Sequence, residues 1–229
     1  MGKNVMTETQ GSLQERLVWI NGGSSGIGQA SAETLARAGA KVIISGRRTA
    51  QLDAAVQVAQ QQGLTLHSVA MDICDRTSVD RAARDIQQRF GVVDILVNCA
   101  GTNVPHRAWG SIDAEGFEQV ISANLSGTMY CMLAVLPGMR SQRRGLIINI
   151  ASWAGKFVSA LTGPSYTAAK HAVGALTLSL NTEECVNGIR GCAIFPGEVA
   201  TPMLQSRAVM PSAEEQARML QPDQVAAAV

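Results

Sequence analysis

The stretch "LVWINGGSSGIGQA", residues 17–30, decides the fold. Four apolar or β-favouring residues lead into a cluster of glycines and serines, and a helical pattern begins directly after it. The spacing Gly22-x-x-x-Gly26-x-Gly28 predicts a tight turn between a strand and a helix. Glycine removes the Cβ atoms that would keep a pyrophosphate away, and the helix N-terminus presents N–H groups to the anion. The turn therefore predicts a dinucleotide site, while the alternative is a glycine-rich turn that only ends a strand.

Outward from this turn, apolar runs alternate with helical periodicity. The runs that indicate strands are residues 16–21, 41–45, 64–71, 92–100, 145–152 and 188–195. Helices are expected from residue 26, over 51–62, from 77, over 113–139 and over 165–186. The strands are rich in Val, Ile and Leu and lack polar alternation, as expected when helices cover both faces of a sheet. The pattern predicts one α/β domain with a doubly wound parallel sheet over residues 16–229, after a polar tail over 1–15.

Composition excludes several classes of function. The 229 residues are 46% hydrophobic, and 19 basic and 18 acidic residues leave a net charge of +1. This balance gives no basic face for nucleic acid and no polybasic patch for a membrane. The five cysteines include no C-x-x-C pair, so reduced thiols and no metal site are expected. With no apolar leader or membrane span in the sequence, we expect a soluble cytoplasmic protein.

The end of the second strand predicts which dinucleotide binds. NAD-binding turns carry a carboxylate there for the ribose 2′-hydroxyl, but this sequence has Gly46 followed by Arg47 and Arg48. A guanidinium is suited to a 2′-phosphate. The prediction is NADP(H) ahead of NAD(H), and the alternative is a solvated pair of arginines.

Four polar residues form a candidate catalytic set. Tyr166 and Lys170 are four residues apart at the start of a helix, so both side chains leave the same face. An ammonium close to a phenol favours the phenolate, and this predicts a lowered tyrosine pKa. Ser152 follows the fifth strand and can hold a carbonyl oxygen, and Asn124 can anchor a water. Taken singly, the last two are equally a core serine and a helix-kink asparagine.

With these motifs in order, the chain resembles a classical short-chain dehydrogenase/reductase over residues 15–229. The resemblance rests on "NGGSSGIG", "MDICD", "VNCAG", Asn124, Ser152, "YTAAK" and "PGEVATPM". It implies a Rossmann fold, an oxidoreductase acting on carbonyls or alcohols, and a homo-oligomer, either dimer or tetramer. It also implies that Tyr166 is the general acid/base, that Ser152 polarises the carbonyl, and that Lys170 binds the nicotinamide ribose. Asn124 would support a proton-relay water.

The predicted cofactor-binding set, beyond Tyr166 and Lys170, combines the glycine turn and the arginine pair with the positions that the resemblance implies. In this sequence its members are Gly22, Ser24, Ser25, Gly26, Ile27, Gly28, Arg47, Arg48, Asp72, Ile73, Asn98, Ala100, Gly101, Pro196, Gly197, Val199 and Thr201. Among these, Asp72 and Ile73 would bracket the adenine, and the residues from Pro196 onward would wrap the nicotinamide.

The sequence departs from the family pattern at several places. Asn21 and Cys99 replace a usual Thr and Asn at positions that tie strand ends together, and little effect is expected. The separation of Ser152 and Tyr166 is 14 residues, one more than is common, so the intervening loop must adapt. Glu198 replaces a small or neutral residue. After "PDQVAAAV" the family adds a seventh strand that is absent here, so an omitted C-terminal segment and a free sixth-strand edge are expected.

The function predicted from the sequence is hydride transfer between NADP(H) and a carbonyl or secondary alcohol, with a 3-oxoacyl compound or small ketone as substrate. A non-catalytic dinucleotide sensor is the alternative, but such a protein would be expected to lose the tyrosine or the lysine. A nucleotide-sugar epimerase would require a larger substrate domain than this chain supplies. The region around Met203 and Met210 is consistent either with a mobile lid or with core packing.

Overall fold

A computed structural model describes residues 13–229, so most of the polar tail predicted over 1–15 lies outside the described residues. The strands are β1 (Leu17–Asn21), β2 (Lys41–Gly46), β3 (Leu66–Ala70), β4 (Ile95–Asn98), β5 (Gly145–Ile150) and β6 (Ile189–Ile194). The helices are α1 (Gly26–Arg37), α2 (Thr49–Gln61), α3 (Arg76–Phe90), α4 (Ala114–Ile121), α5 (Gly127–Ser141), α6 (Pro164–Glu184), α7 (Ala213–Arg218) and α8 (Pro222–Ala226).

The strands form one parallel sheet in the order β3-β2-β1-β4-β5-β6. The chain builds outward from β1 to β3 and then crosses to β4 on the other side of β1. This reversal places a crevice at the carboxyl ends of β1 and β4, where open α/β sheets bind ligands. The predicted doubly wound Rossmann sheet is confirmed, and β6 is one edge of it, as expected.

Helices cover both faces of the sheet, and β1 shows why its sequence is apolar throughout. Leu17 and Trp19 belong to one core cluster, with buried residues of α3 and α5, whereas Val18 and Ile20 belong to the other, with α1 and α2. All four side chains are buried. Because successive residues of a strand point to opposite faces, a strand buried on both sides carries no polar alternation.

The single helical region predicted over 113–139 is interrupted in the structure. Between α4 and α5 the chain makes one π-helical turn, Ser122–Ser126, which contains Asn124. Gly127 follows, and a Cβ there would lie 2.6 Å from the Ile73 side chain, so the helix approaches the β3–α3 loop closely. By length and hydropathy the stretch 114–141 would pass as a membrane span, but half of its apolar window is buried inside the domain.

The chain after β6 covers the carboxyl end of the sheet. It continues as a 3-10 turn, Pro202–Ser206, then α7 and α8. Val199 and Leu220 form a parallel bridge, which ties the segment before α8 to the loop that follows β6. α8 packs against α1, and residues of the 3-10 turn line the crevice together with the glycine turn.

Candidate active site

The glycine turn packs tightly against its own surroundings. Gly22 has a φ of +70°, and a Cβ there would lie 2.6 Å from the backbone nitrogen of Ala100. A Cβ on Gly28 would overlap the carbonyl oxygen of Gly22. Gly26 also has a positive φ, +54°, and faces Thr201. The glycines are therefore required to bring the turn, α1 and the end of β4 together.

The N-terminus of α1 is left without a side-chain cap. Ser25 occupies the N-cap position with extended backbone, but its side chain accepts no hydrogen bond from the first turn. No acidic residue lies in that turn. The N–H groups at the start of a helix have no partner within the helix, so here they are available to an anion. This arrangement fits the pyrophosphate of a dinucleotide.

A groove runs along this turn and gathers most of the predicted cofactor-binding residues. The predicted residues that line it are Gly22, Ser24, Ser25, Gly26, Ile27, Gly28, Arg47, Arg48, Ile73, Ala100, Gly101 and Thr201. Arg47 and Arg48 are exposed and follow β2. Neither forms an ion pair with a carboxylate anywhere in residues 13–229.

Asp72 and Asn98, both predicted to contact the cofactor, do not line this groove. The Asp72 carboxylate accepts a hydrogen bond from the Cys74 backbone at 2.9 Å, and the Asp72 N–H donates to Ser78 Oγ at 3.0 Å. Asp72 therefore shapes the loop before α3, while its neighbour Ile73 reaches the groove.

Asn98 belongs to a buried polar ladder across the strand ends. The Asn21 amide donates to Asn98 Oδ1, Asn98 donates to Asn149 Oδ1 at 2.7 Å, and Asn149 donates to Thr177 Oγ1 at 2.9 Å. Asn21 Oδ1 also accepts from the Ala100 N–H at 3.0 Å. The expected role of Asn21 in tying strand ends together is confirmed. The ladder fixes β1, β4, β5 and α6 relative to one another, and these elements carry the site.

The structure brings Ser152, Tyr166 and Lys170 to one pocket. Ser152 follows β5 and caps a short 3-10 turn, Trp153–Gly155, by accepting from the Ala154 N–H at 3.2 Å. Tyr166 and Lys170 lie on the first two turns of α6, and Lys170 Nζ is 5.6 Å from the centre of the Tyr166 ring. Lys170 is buried, and its ammonium donates to the Ile150 carbonyl at 2.9 Å.

Burial dominates the electrostatics of this pair. It raises the pKa of Tyr166, and interactions with Ser152 and with the Arg107 charge offset only part of the shift. Burial also lowers the pKa of Lys170 to about 8. The sequence predicted the opposite direction for Tyr166, because it considered the ammonium and not the desolvation of the phenolate. In this chain Tyr166 is held as a phenol at neutral pH.

Asn124 is fully buried in the π-helical turn. Its Nδ2 donates to the carbonyls of Thr102 and Val120, each at 2.8 Å. Its Oδ1 has no hydrogen-bond partner among the described residues. A buried, unpartnered amide oxygen is rare, and it leaves an acceptor position for a water, as the resemblance implies.

Pro196, Gly197, Val199 and Thr201 line the same pocket as Tyr166, and their contact with a nicotinamide stays a prediction. Five residues line both this pocket and the groove, namely Ile27, Cys99, Thr201, Met203 and Ser206. The two cavities therefore form one continuous cleft, with the glycine turn at one end and the tyrosine at the other.

The sequence missed two arginines in the pocket. Arg107 lies in the loop after β4, and Arg207 follows the 3-10 turn after β6. Arg207 lies 3.5 Å from the Glu198 carboxylate, which gives Glu198 a partner that the sequence did not suggest. No periodic or motif signal marks either arginine, because both lie in loops. Within the described range, no three His, Cys, Asp or Glu side chains cluster as a metal site would require.

Comparison with known proteins agrees with this geometry. Residues 16–211 match the family model of short chain dehydrogenases. An uncharacterized oxidoreductase of Staphylococcus saprophyticus is 37% identical over 192 residues, which are 83% of this chain and 81% of the relative. The crystal structure of a 3-oxoacyl-[acyl-carrier protein] reductase from Brucella melitensis has a TM-score of 0.87 and 30% identity, covering 100% of this chain and 89% of that chain. A variant of actinorhodin polyketide ketoreductase with NADPH has a TM-score of 0.86 and 28% identity, covering 94% and 90%.

Proposed function

Because the chain belongs to the short-chain dehydrogenase family, whose members are oxidoreductases that use nicotinamide cofactors, we propose that it reduces a small-molecule carbonyl compound with NADPH. The observation that carries this proposal is the continuous cleft, since its groove end suits a dinucleotide and its pocket end holds Ser152, Tyr166 and Lys170. A non-catalytic dinucleotide sensor would have no use for this second end.

The reaction adds one hydride and one proton across the carbonyl bond. When bound, the reduced nicotinamide supplies the hydride, which adds to the carbonyl carbon. The carbonyl π electrons move to oxygen, and that oxygen takes a proton from Tyr166. The product is a secondary alcohol, and solvent returns the proton to the tyrosine.

Tyr166 is suited to the role of proton donor because it is a phenol at neutral pH. Its raised pKa keeps the proton on the oxygen until charge develops on the carbonyl oxygen of the substrate. Ser152, after β5 in the same pocket, donates to that carbonyl oxygen and polarises it. The phenol is the protonation state that carbonyl reduction needs, whereas alcohol oxidation needs the phenolate as base.

Lys170 and Asn124 complete the proposed machinery. The Lys170 ammonium, buried one helical turn from Tyr166, binds the ribose hydroxyls and returns protons toward the tyrosine. The free acceptor on Asn124 Oδ1 holds the water that links Lys170 with solvent.

Selection of NADPH rests on Arg47 and Arg48. Both guanidiniums border the groove where the adenosine ribose would lie, and neither is neutralised by a carboxylate of residues 13–229. The positive charge of the two guanidiniums then favours a ribose 2′-phosphate over a 2′-hydroxyl. The relative of known structure with NADPH supports the same choice. The expected substrates are small ketones or 3-oxoacyl compounds. A cytoplasmic location and self-association stay predictions.

A substrate panel tests the proposal. Ketones, β-keto esters and secondary alcohols are each assayed with NADPH and with NADH, and absorbance reports cofactor oxidation or reduction. Reduction of at least one carbonyl compound with NADPH, lost in Tyr166→Phe, is expected. Binding of NADPH without turnover of any member of the panel would favour the dinucleotide sensor.

A further inference from the structure

The substrate pocket contains more positive charge than the proposed reaction uses. Its lining includes Lys170, Arg107 and Arg207, but only one carboxylate, Glu198. Glu198 is paired with Arg207 at 3.5 Å, and Lys170 is assigned to the ribose. The Arg107 guanidinium is therefore left without a counter-charge, and no carboxylate of residues 13–229 forms an ion pair with it.

Arg107 is held in a fixed position. Its Nη2 donates to the Ser206 carbonyl and lies 3.5 Å from Ser206 Oγ, so the side chain spans the pocket from the loop after β4 to the 3-10 turn. Its backbone is pressed against Gly163, where a Cβ would overlap the Arg107 carbonyl oxygen. Gly163 caps the helix that carries Tyr166. Ser206 therefore holds the Arg107 guanidinium, while the start of α6 holds the Arg107 backbone.

The guanidinium also has donors to spare. It carries five N–H donors in a planar fork, and only those on Nη2 meet acceptors within the described part of the chain. The side chain is partly buried, and both burial and the neighbouring Arg207 charge lower the pKa of Arg107. Like charges in a half-buried pocket repel each other, and Glu198 offsets only the Arg207 charge. Beside the reacting centre, the pocket therefore has a cation without a counter-ion and N–H donors without acceptors among the described residues.

We propose that Arg107 binds a carboxylate of the substrate, so that the protein reduces oxo acids in preference to neutral ketones. This inference rests on the proposed function, because it names the substrate class of the same pocket. Arg107 is a specificity-determining residue in this assignment: it orients the acid group while Tyr166 acts at the ketone. Glu198, by neutralising Arg207, leaves Arg107 as the cation that the substrate meets.

Matched acids and esters test the proposal by turnover. Pyruvate, acetoacetate and levulinate are each compared with the corresponding methyl ester, which has the same carbonyl but no charge. For the acid of fitting length, kcat/KM is expected to exceed that of its ester by about 10- to 100-fold, as for one charge-assisted contact. Arg107→Met should remove this preference, because the acid loses its counter-charge whereas the ester has no charge to lose. Arg107→Lys should retain part of the preference for the acid, because lysine keeps the positive charge but lacks the planar N–H donors of the guanidinium.

The acid-to-ester ratio separates specificity from stability. A variant that merely loosens the loop loses activity on both compounds, and its ratio does not change. The matched control is Arg84→Met. Arg84 lies on α3 outside the pocket, so the acid-to-ester ratio of kcat/KM for this variant should equal that of wild type. Wild-type preference for the esters, or an unchanged ratio in Arg107→Met, would overturn the proposal.

A second measurement does not depend on turnover. Phenylglyoxal modifies free guanidiniums, and mass spectrometry of the Arg107 peptide reports the rate. The preferred acid should slow this modification at least about threefold, whereas its methyl ester should not. Protection without reduction of any carbonyl would refute the proposed function and keep the carboxylate site. Ester reduction without protection by any acid would refute the carboxylate site alone.

Discussion

Replacement of Lys170 by methionine should change how stability depends on pH. Burial lowers the pKa of this amine from 10.5 to about 8 in the folded chain. Between these values the unfolded chain binds a proton that the folded chain does not. The free energy of unfolding of the wild type therefore rises with pH through this window, and the cost of the buried charge is present in full below pH 8. Methionine has a similar shape and no charge, so Lys170→Met lacks this dependence.

The magnitude follows from the two pKa values. At pH 7.5 the buried ammonium costs about 3 kcal/mol of stability, and at pH 9.5 about 1 to 2 kcal/mol. The difference in unfolding free energy between wild type and Lys170→Met should therefore shift by about 2 kcal/mol in favour of the wild type over this interval. Loss of the hydrogen bond to the Ile150 carbonyl destabilises Lys170→Met at both pH values.

Urea unfolding of the cofactor-free protein, followed by tryptophan fluorescence at both pH values, measures this shift. Trp19 is fully buried and is a suitable probe. Lys156→Met is the control, because it removes an exposed lysine that is not buried as Lys170 is. The difference in unfolding free energy between wild type and Lys170→Met could instead stay constant from about pH 7.5 to about 9.5. That result would show that the amine is not desolvated, and the electrostatic description of the site would be wrong.

Three further predictions concern the cleft. Tyr166→Phe should lower kcat by about 100- to 10,000-fold while the NADPH Kd stays within about threefold, and a residual rate above a few per cent of wild type would contradict its role as proton donor. The double variant Arg47→Gln/Arg48→Gln should lower the NADPH-to-NADH ratio of kcat/KM by about 100-fold, since each exposed arginine contributes about 1.5 kcal/mol. The pair Arg81→Gln/Arg84→Gln, on α3, should leave that ratio unchanged, and equal effects of both double variants would indicate a general charge effect. Gly163→Ala should cost more than about 1 kcal/mol of stability in urea unfolding, because φ is +73° there and the new Cβ meets the Arg107 carbonyl; wild-type stability would contradict this contact.

The sequence predicted the fold well because local and global signals agree in it. The glycine turn, the apolar strands and the amphipathic stripe of α3 each point to the same doubly wound sheet, and Val79, Ala82 and Ile86 are buried as that stripe requires. The order of the strands was not predicted, and it is seen only in the parallel pairings of the structure. What periodicity did not reveal was the π-helical turn, because one extra residue within a long apolar helix leaves the pattern almost unchanged.

The site was predicted less completely, and the physical reason is that its chemistry depends on distance and solvent exposure. Tyr166 and Lys170 were found because they share one helix face at a fixed spacing. The direction of the tyrosine pKa was wrong, because sequence shows neighbours but not desolvation. Arg107 and Arg207 are separated by 100 residues and meet only through loops, so no spacing rule identifies them.

The π-helical turn explains why the site contains an unpartnered oxygen. A π-helix forms hydrogen bonds between residues five apart, one more than in an α-helix, and the Gly127 N–H bonds the Ser122 carbonyl in this way. The wider turn changes the pairing of nearby carbonyls, and side chains supply donors: Asn124 Nδ2 bonds the Val120 carbonyl and Thr128 Oγ1 bonds the Asn124 carbonyl at 3.0 Å. Both amide hydrogens of Asn124 are thereby used on the backbone, and its Oδ1 is turned toward Gly101 with no donor among the residues that the structure describes. A buried acceptor without a partner costs about 1 to 3 kcal/mol, and a bound water at this position would recover that cost. The same irregularity that distorts the helix therefore creates the water position that the proposed proton relay needs.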